Sequence, residues 1–178
     1  MGPVHPVHTK RPFEAVVQAH GATVLRVCRA VVGVHDADDA WSETFLAAIQ
    51  AYRQLPADSN IEAWLVTIAH RKCIDLLRSR SRRAIPVDKP PEGRSRLGIP
   101  GDGHAELLEA VGQLPRKQRQ AVAYHYLAGL PYKDVAELLG GTPEAVRRAG
   151  ADGVKALRAL LNVDDASLVP VSVKGETA

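Results

Sequence analysis

Cysteine is scarce in this chain of 178 residues, which contains only Cys28 and Cys73. A secreted disulfide scaffold carries more cysteines, and a structural zinc site needs four ligands. We therefore expect neither a disulfide framework nor a bound metal. Both cysteines stand on apolar positions at helical spacing, which predicts that they are buried in a core.

Aromatic residues are also few, at 4% of the chain against 46% for all apolar residues. The core must therefore consist mainly of alanine, valine, leucine and isoleucine. No apolar run approaches the ~20 residues that a membrane helix needs. The segment 1–12 lacks the apolar stretch of a secretory signal. We expect no membrane insertion and a cytoplasmic location.

Motifs for catalysis are absent from the sequence. It has no glycine-rich phosphate loop, no cluster of metal ligands and no nucleophile motif. Its seven histidines share no spacing that indicates a site. We therefore expect no enzymatic activity and no cofactor.

Charge is unevenly distributed, although the formal net charge is only +3. Residues 36–53 include four acids and one base, whereas residues 62–83 include six bases and two acids. An acidic segment followed at once by a basic one indicates two different partners. Two solvated helix faces are the alternative interpretation.

Apolar residues at helical spacing predict an all-α fold. Three helices are expected at about 13–33, 38–52 and 61–80, the second with Ile49 on its inward stripe. Helical spacing returns between Leu107 and Tyr126, and the last two helices are expected at about 132–139 and 143–161. We predict two small domains, 10–84 and 104–162. The proline- and glycine-rich segment 85–103 should be a flexible linker, and 163–178 a disordered tail.

A helix-turn-helix pattern occupies residues 132–148. Ala136, Gly140 and Val146 stand at relative positions 0, +4 and +10. They supply a small residue at the helix crossing, a residue that tolerates positive φ in the turn, and an apolar anchor. Thr142 and Pro143 are typical of a helix start. An ordinary helical hairpin is the alternative. The candidate contacts are Glu144, Arg147 and Arg148 to DNA bases, and Arg116, Lys117 and Arg119 to phosphates.

The third helix combines a buried stripe with a cationic face that can neutralise phosphates. The polar loop 57–60 before it could accept an unstacked base. Trp64 is the nearest aromatic residue, and core packing is its favoured role over base stacking. The candidate phosphate contacts on this helix include Arg71, Lys72, Arg78 and Arg80.

The order of these segments resembles one family. Trp64-Leu65 with Ile68-Ala69 leads to Asp75-Leu76-Leu77-Arg78, and Leu114-Pro115 with Arg119 leads to the helix-turn-helix. Over about residues 13–161 the chain resembles the extracytoplasmic-function (group IV) sigma factors of bacterial RNA polymerase.

The resemblance implies partners and roles for both domains. The acidic helix should bind the polymerase core, the loop 57–60 and third helix should read and open the promoter element nearest the start site, and the helix-turn-helix should read the upstream element. An anti-sigma factor is a further implied partner. The implied polymerase contacts are Asp38, Asp39, Glu43 and Phe45. The implied contacts near the start site are Asp58, Ser59, Asn60, His70, Arg71 and Lys72.

The linker length bears on the free chain. A flexible coil of 19 residues spans ~24 Å on average, whereas the two promoter elements lie more than one helical turn, ~35 Å, apart. We expect the isolated protein to keep its domains closer together and more mobile than promoter spacing requires.

The sequence departs from the family pattern at several positions. Ser42 and Arg71 replace the usual glutamine and asparagine, and Gly150, Asp152 and Gly153 stand where the family tends to have a more basic helix. Each glycine weakens a helix interior by roughly 1 kcal/mol.

The main alternative function is a polymerase-independent helix-turn-helix regulator. That alternative gives no function to the acidic helix and the basic third helix. A protein-binding helical adaptor is a second alternative.

Overall fold

The computed structural model describes residues 10–83 and 105–162, and within these ranges every regular element is helical. The prediction of an all-α fold is confirmed. The first range forms α1 (Phe13–Val32), α2 (Ala37–Tyr52) and α3 (Ile61–Arg83). The predicted linker 85–103 and tail 163–178 lie outside the described residues.

Helices α1, α2 and α3 pack against one another as a three-helix bundle. Val24, Cys28, Leu65 and Cys73 in its core are fully inaccessible to solvent. The prediction that both cysteines are core residues is therefore confirmed. Most core side chains are small, because aromatic residues are few. The helices can therefore approach one another closely.

The inward stripe of α2 differs from the predicted one at Ile49, which is 52% exposed. Thr44, Phe45 and Ala48 are buried instead. Phe45 lies at the edge of the buried stripe, and Ile49, four residues later, lies about 40° further around the helix. The prediction for Ile49 is wrong because a four-residue step drifts away from a narrow stripe.

The second range forms α4 (Ala105–Gln113), α5 (Arg116–Ala121), a π-helical segment (Val122–Leu127), α6 (Tyr132–Leu139) and α7 (Pro143–Leu160). The periodic segment between Leu107 and Tyr126 is thus divided. Pro115 precedes α5, and proline lacks the backbone N–H that a continuing helix would need.

The π-helical segment reverses the expected orientation of Tyr126. α-Helical spacing from Val122 predicts that Tyr126 faces inward, but Tyr126 is 50% exposed and Tyr124 is completely buried. Backbone bonds here span five residues, as in Ala128 N–H to Ala123 O at 3.0 Å. The wider turn changes which side chains face the core.

The two helical groups are in contact. α1 packs against α4, α5 and the π-helical segment, and the buried core continues from one group into the other. Arg119 donates to the carbonyl oxygens of Leu114 at 3.0 Å and Val31 at 3.4 Å. The two groups lie close together, as expected, whereas the expected mobility of the domains stays a prediction.

Helix α1 is, within the described ranges, the one helix long and apolar enough to cross a membrane by length and composition. The sequence has no uninterrupted apolar run of ~20 residues, as predicted. By mean hydropathy, however, α1 does reach the level of a membrane-spanning helix. The apolar face of α1 is covered by neighbouring helices, with Val24, Val27 and Cys28 fully buried. Such burial is typical of the central helix of a globular protein.

The two glycines of α7 lie where that helix crosses the preceding elements. A Cβ atom at Gly153 would lie 2.8 Å from Val122 Cγ2, and one at Gly150 would lie 3.5 Å from the Tyr126 ring. A close packing contact therefore explains why glycine stands at these helical positions despite its low helix propensity, at Gly153 above all.

The substitution Gly153→Ala should destabilise the protein. It gains up to ~1 kcal/mol of helix propensity, but overpacking costs ~1–3 kcal/mol. We expect a net loss of up to about 2 kcal/mol in the free energy of unfolding, measured by urea denaturation. Gly112→Ala is the matched control, because a Cβ there meets nothing within 4 Å. Equal stability of the two variants would contradict the close crossing of α7.

Candidate nucleic-acid and protein interfaces

The helix-turn-helix has the geometry that its sequence predicts. Gly140 ends α6 with φ +69°, and Ala136 and Val146 are buried. Thr142 Oγ1 accepts a hydrogen bond from the Ala145 backbone N–H at 3.2 Å, and Pro143 is the first residue of α7. These local predictions are confirmed. The exposed side chains near the start of α7 are Glu144, Arg147 and Arg148.

Arg147 lies against a stack of rings. Its guanidinium carbon is 5.4 Å from the centroid of the Tyr132 ring. That ring is stacked on His125 with centroids 3.8 Å apart and planes inclined by 19°. The hydroxyl groups of Tyr126 and Tyr132 are 3.4 Å apart. This hydrogen bond, followed by desolvation, raises the pKa of Tyr132 to about 12, so the ring stays neutral at physiological pH.

The three basic residues predicted on α5 differ in their surroundings. Arg116 and Lys117 are exposed. Arg119 is partly buried, and its guanidinium joins α5 to the end of α1 through Val31. Burial lowers the pKa of Arg119. Its Nε is buried without a hydrogen-bond partner among the described residues. In this arrangement Arg119 serves packing between the helical groups.

The cationic face of α3 meets the acidic face of α2. Lys72 Nζ is 3.3 Å from Glu43 Oε2, and Arg80 is 3.0 Å from Asp36 Oδ2. Such exposed pairs contribute only ~0.2–1 kcal/mol each, so they can exchange for other partners. Arg71 and Arg78 are exposed on the same helix.

The loop before α3 is exposed at Asp58 and partly buried at Ser59. Asn60 caps the helix, since its Oδ1 accepts from the Ala63 N–H at 3.0 Å. Trp64 packs against the core, with its ring 6.3 Å from that of Tyr52. The prediction that Trp64 is a packing residue is confirmed.

His70 contacts the other helical group. Its Nδ1 is 2.7 Å from the Tyr124 hydroxyl oxygen, and the two rings meet edge to face at 5.3 Å. Burial, then the charges of Arg116 and Arg71, lower the pKa of His70, which favours the neutral imidazole. With its proton on Nε2, Nδ1 accepts from the Tyr124 O–H. Burial raises the pKa of Tyr124, so its hydroxyl keeps the proton that it donates.

The outer face of α2, defined here as Asp38, Asp39, Glu43, Leu46 and Ile49, is exposed. Leu46 is 57% and Ile49 52% exposed. Phe45 lies beneath this face, 7% exposed, with its ring 4.6 Å from Trp41. Phe45 therefore supports the face from inside. A surface that joins carboxylates to large apolar side chains is typical of a protein-binding site.

Three features of these surfaces do not follow from the sequence reasoning. They are the apolar part of the α2 face, the ring stack under Arg147 and the burial of Tyr124 beside His70. Leu46 could have been found, because it follows Glu43 by three residues and so shares its face. The burial of Tyr124 could not have been found, because its partner His70 lies 54 positions away, in the other helical group.

Two family models match the chain. The Sigma-70 region 2 model matches residues 16–83 and the Sigma-70 region 4 model matches residues 104–157. The first match covers α1 to α3, and the second covers the helix-turn-helix and the helices before it.

Individual relatives agree with these matches. The chain is 33% identical to ECF RNA polymerase sigma factor SigC of Mycobacterium tuberculosis over 163 residues, which cover 87% of this chain and 86% of that protein.

Its fold is similar to those of two solved structures. One is RpoE in complex with the anti-sigma factor NepR from Bartonella quintana, with a TM-score of 0.67 and 20% identity over 85% of this chain and 98% of that chain. The other is CnrH in complex with the cytosolic domain of CnrY, with a TM-score of 0.60 and 24% identity over 85% and 88%. The chain therefore belongs to the extracytoplasmic-function sigma factors, the family that acts with RNA polymerase in promoter recognition.

Proposed function

We propose that this sigma factor docks on the polymerase core through the outer face of α2 and contacts promoter DNA through α3 and α7. One observation carries the proposal: the α2 face exposes carboxylates beside Leu46 and Ile49, a surface that neither DNA binding nor internal packing explains. DNA would repel the carboxylates, and two large apolar side chains gain by burial against a protein.

The α2 residues have different roles in the proposed polymerase contact. Asp38, Asp39 and Glu43 supply charge complementarity, which speeds association and fixes orientation. Leu46 and Ile49 supply apolar area. Phe45 acts from beneath, by packing against Phe13 of α1, with ring centroids 6.3 Å apart.

The promoter element nearest the start site is assigned to residues 10–84. The exposed cations of α3 contact phosphates, and the polar loop in front of α3 receives an unstacked base. With ~4–6 phosphate contacts, the logarithm of affinity should fall with the logarithm of salt concentration at a slope near −4 to −5. The assigned residues are Asp58, Ser59, Asn60, His70, Arg71, Lys72, Arg78 and Arg80.

The upstream element is assigned to residues 104–162, with α7 in the major groove. Arg147 and Arg148 leave the first two turns of α7 toward solvent, which is where a recognition helix meets base edges. Arg116 and Lys117 are exposed and suited to phosphate contacts. Arg119 would first have to leave its bonds to Val31 and Leu114.

Reading both elements requires the two helical groups to separate. The elements lie more than ~35 Å apart. In the structure the two groups touch, with His70 Nδ1 only 2.7 Å from the Tyr124 hydroxyl oxygen. We propose that the closed arrangement belongs to the free chain and that core polymerase selects an open one. The apparent affinity for polymerase is then reduced by the fraction of open chains.

An anti-sigma factor is a proposed second partner, because one structural neighbour is a sigma factor in complex with an anti-sigma factor. We further propose that the chain acts in the cytoplasm and has no catalytic activity of its own. Polymerase would perform RNA synthesis, and this chain would position it on the promoter.

The double substitution Asp39→Lys with Glu43→Lys should abolish transcription by removing core binding. The assay is run-off transcription with purified core polymerase on fragments of the source genome, with core binding measured in parallel. Glu14→Lys with Glu109→Lys is the matched control, because both acids are exposed and lie outside the α2 face. We expect transcripts with the control and none with the first variant.

Two outcomes would contradict this assignment. Full core binding by the first variant would remove α2 from the polymerase interface. The unmodified chain could also bind duplex DNA tightly but neither bind core polymerase nor support transcripts. That result would replace the proposed docking on polymerase by a polymerase-independent regulation of transcription.

The substitution Tyr124→Phe should favour the open arrangement. It removes one hydrogen bond, ~0.5–1.5 kcal/mol, which corresponds to about 2- to 10-fold in the closed-to-open ratio. We expect a larger radius of gyration by small-angle scattering and a 2- to 10-fold tighter apparent affinity for core polymerase. Tyr52→Phe is the control, because its hydroxyl donates to Arg11 O, at 2.7 Å, within the first helical group. Equal affinities for the two variants would mean that the closed contact does not limit polymerase binding.

A further inference from the structure

We infer that Tyr132 is a positioning residue for DNA recognition, which holds the Arg147 side chain ready to contact the upstream element. This inference rests on the proposed role of α7. It concerns a residue of α6 that faces Arg147 across the turn and that neither the helix-turn-helix pattern nor the charge pattern marks as a DNA contact.

The first step is the fixed plane of the supporting ring. His125 Nδ1 is 2.7 Å from the carbonyl oxygen of Leu130. A carbonyl oxygen accepts, so Nδ1 carries the proton and donates. The bond joins the π-helical segment to the turn before α6 and sets the orientation of the imidazole.

The second step is the ring on which Arg147 rests. Tyr132 lies nearly parallel to His125, with centroids 3.8 Å apart, and the Tyr126 hydroxyl lies 3.4 Å from its own. The Tyr132 ring is thus supported on one face and at its edge. The Arg147 guanidinium approaches the same ring, at 5.4 Å from its centroid.

The third step is the consequence for binding. An unrestrained arginine loses much rotamer freedom when it forms a bidentate contact. A side chain already held near its bound orientation loses less, and binding is tighter by that difference. A cation–π contact at an exposed site corresponds to about 2- to 5-fold in population or affinity.

The test is a double-mutant cycle on Arg147 and Tyr132. Holoenzyme reconstituted with Arg147→Ala, Tyr132→Leu or both is titrated with promoter fragments that give run-off transcripts. We expect Tyr132→Leu to weaken binding about 2- to 5-fold in the Arg147 background and to have no further effect once Arg147 is alanine. Tyr132→Phe retains the ring and should bind like the unmodified chain.

Arg148 provides the matched control for the cycle. It is the next residue of α7, is exposed and lies outside the ring stack. The effects of Tyr132→Leu and Arg148→Ala should therefore add. If Tyr132→Leu weakened binding equally with and without Arg147, its role would be structural and the inference would be overturned.

A second measurement needs no DNA. Relaxation of the Arg147 guanidinium Nε–H group in the free full-length chain should show higher mobility in Tyr132→Leu than in Tyr132→Phe. Equal mobility in the two variants would overturn the inference even if DNA binding fell.

Failure of the proposed function has a different signature. If Arg147→Ala left promoter binding unchanged, the assignment of Arg147 to DNA would be wrong. If Arg147→Ala weakened binding and Tyr132→Leu did not, only the positioning role would fail.

Discussion

The structure depends on the double use of α1. One side of this helix packs on α2 and α3, and the other receives α4, α5 and the π-helical segment. Two helical groups of this size bury too little surface to be very stable separately, and a shared helix gives them one continuous core. The small side chains along α1, among them Val24, Val27 and Ala30, allow neighbours to approach on both sides. A chain with few aromatic residues has few other ways to fill a core of this extent.

The same shared core conflicts with the proposed reading of two promoter elements. In that proposal the two groups lie far apart on the promoter, whereas burial of Tyr124 and its hydrogen bond to His70 hold them together. The contact must therefore be strong enough to protect apolar surface in the free chain and weak enough for polymerase to replace it. A difference of a few kcal/mol satisfies both conditions, because it leaves a minor open population that a tight partner can select. His70 then has two alternative partners, Tyr124 in the free chain and, as we propose, DNA in the open one.

Patterns within single helices were predictable from sequence. Gly140, Thr142 and Pro143 determine the helix-turn-helix because each acts through its own backbone conformation or cap. Orientation around a helix is less predictable: spacing alone predicts that Ile49 and Tyr126 face inward, and both are exposed. The first lies just outside a narrow stripe, and the second lies within a π-helical segment that periodicity does not reveal. The contact between Tyr124 and His70 joins residues 54 positions apart, and no local rule contains that information.

The glycines of α7 connect packing to recognition. Gly153 permits the close crossing with α5, and its neighbour Asp152 adds a negative charge to an exposed surface. The charge of Asp152 reduces what α7 can contribute through general attraction to phosphates, and residues 131–158 contain only five basic residues against four acidic ones. Upstream recognition must then depend on a small number of well-placed side chains. Orientation matters most where charge is scarce, and the ring stack beneath Arg147 supplies orientation at the position where α7 would enter the groove.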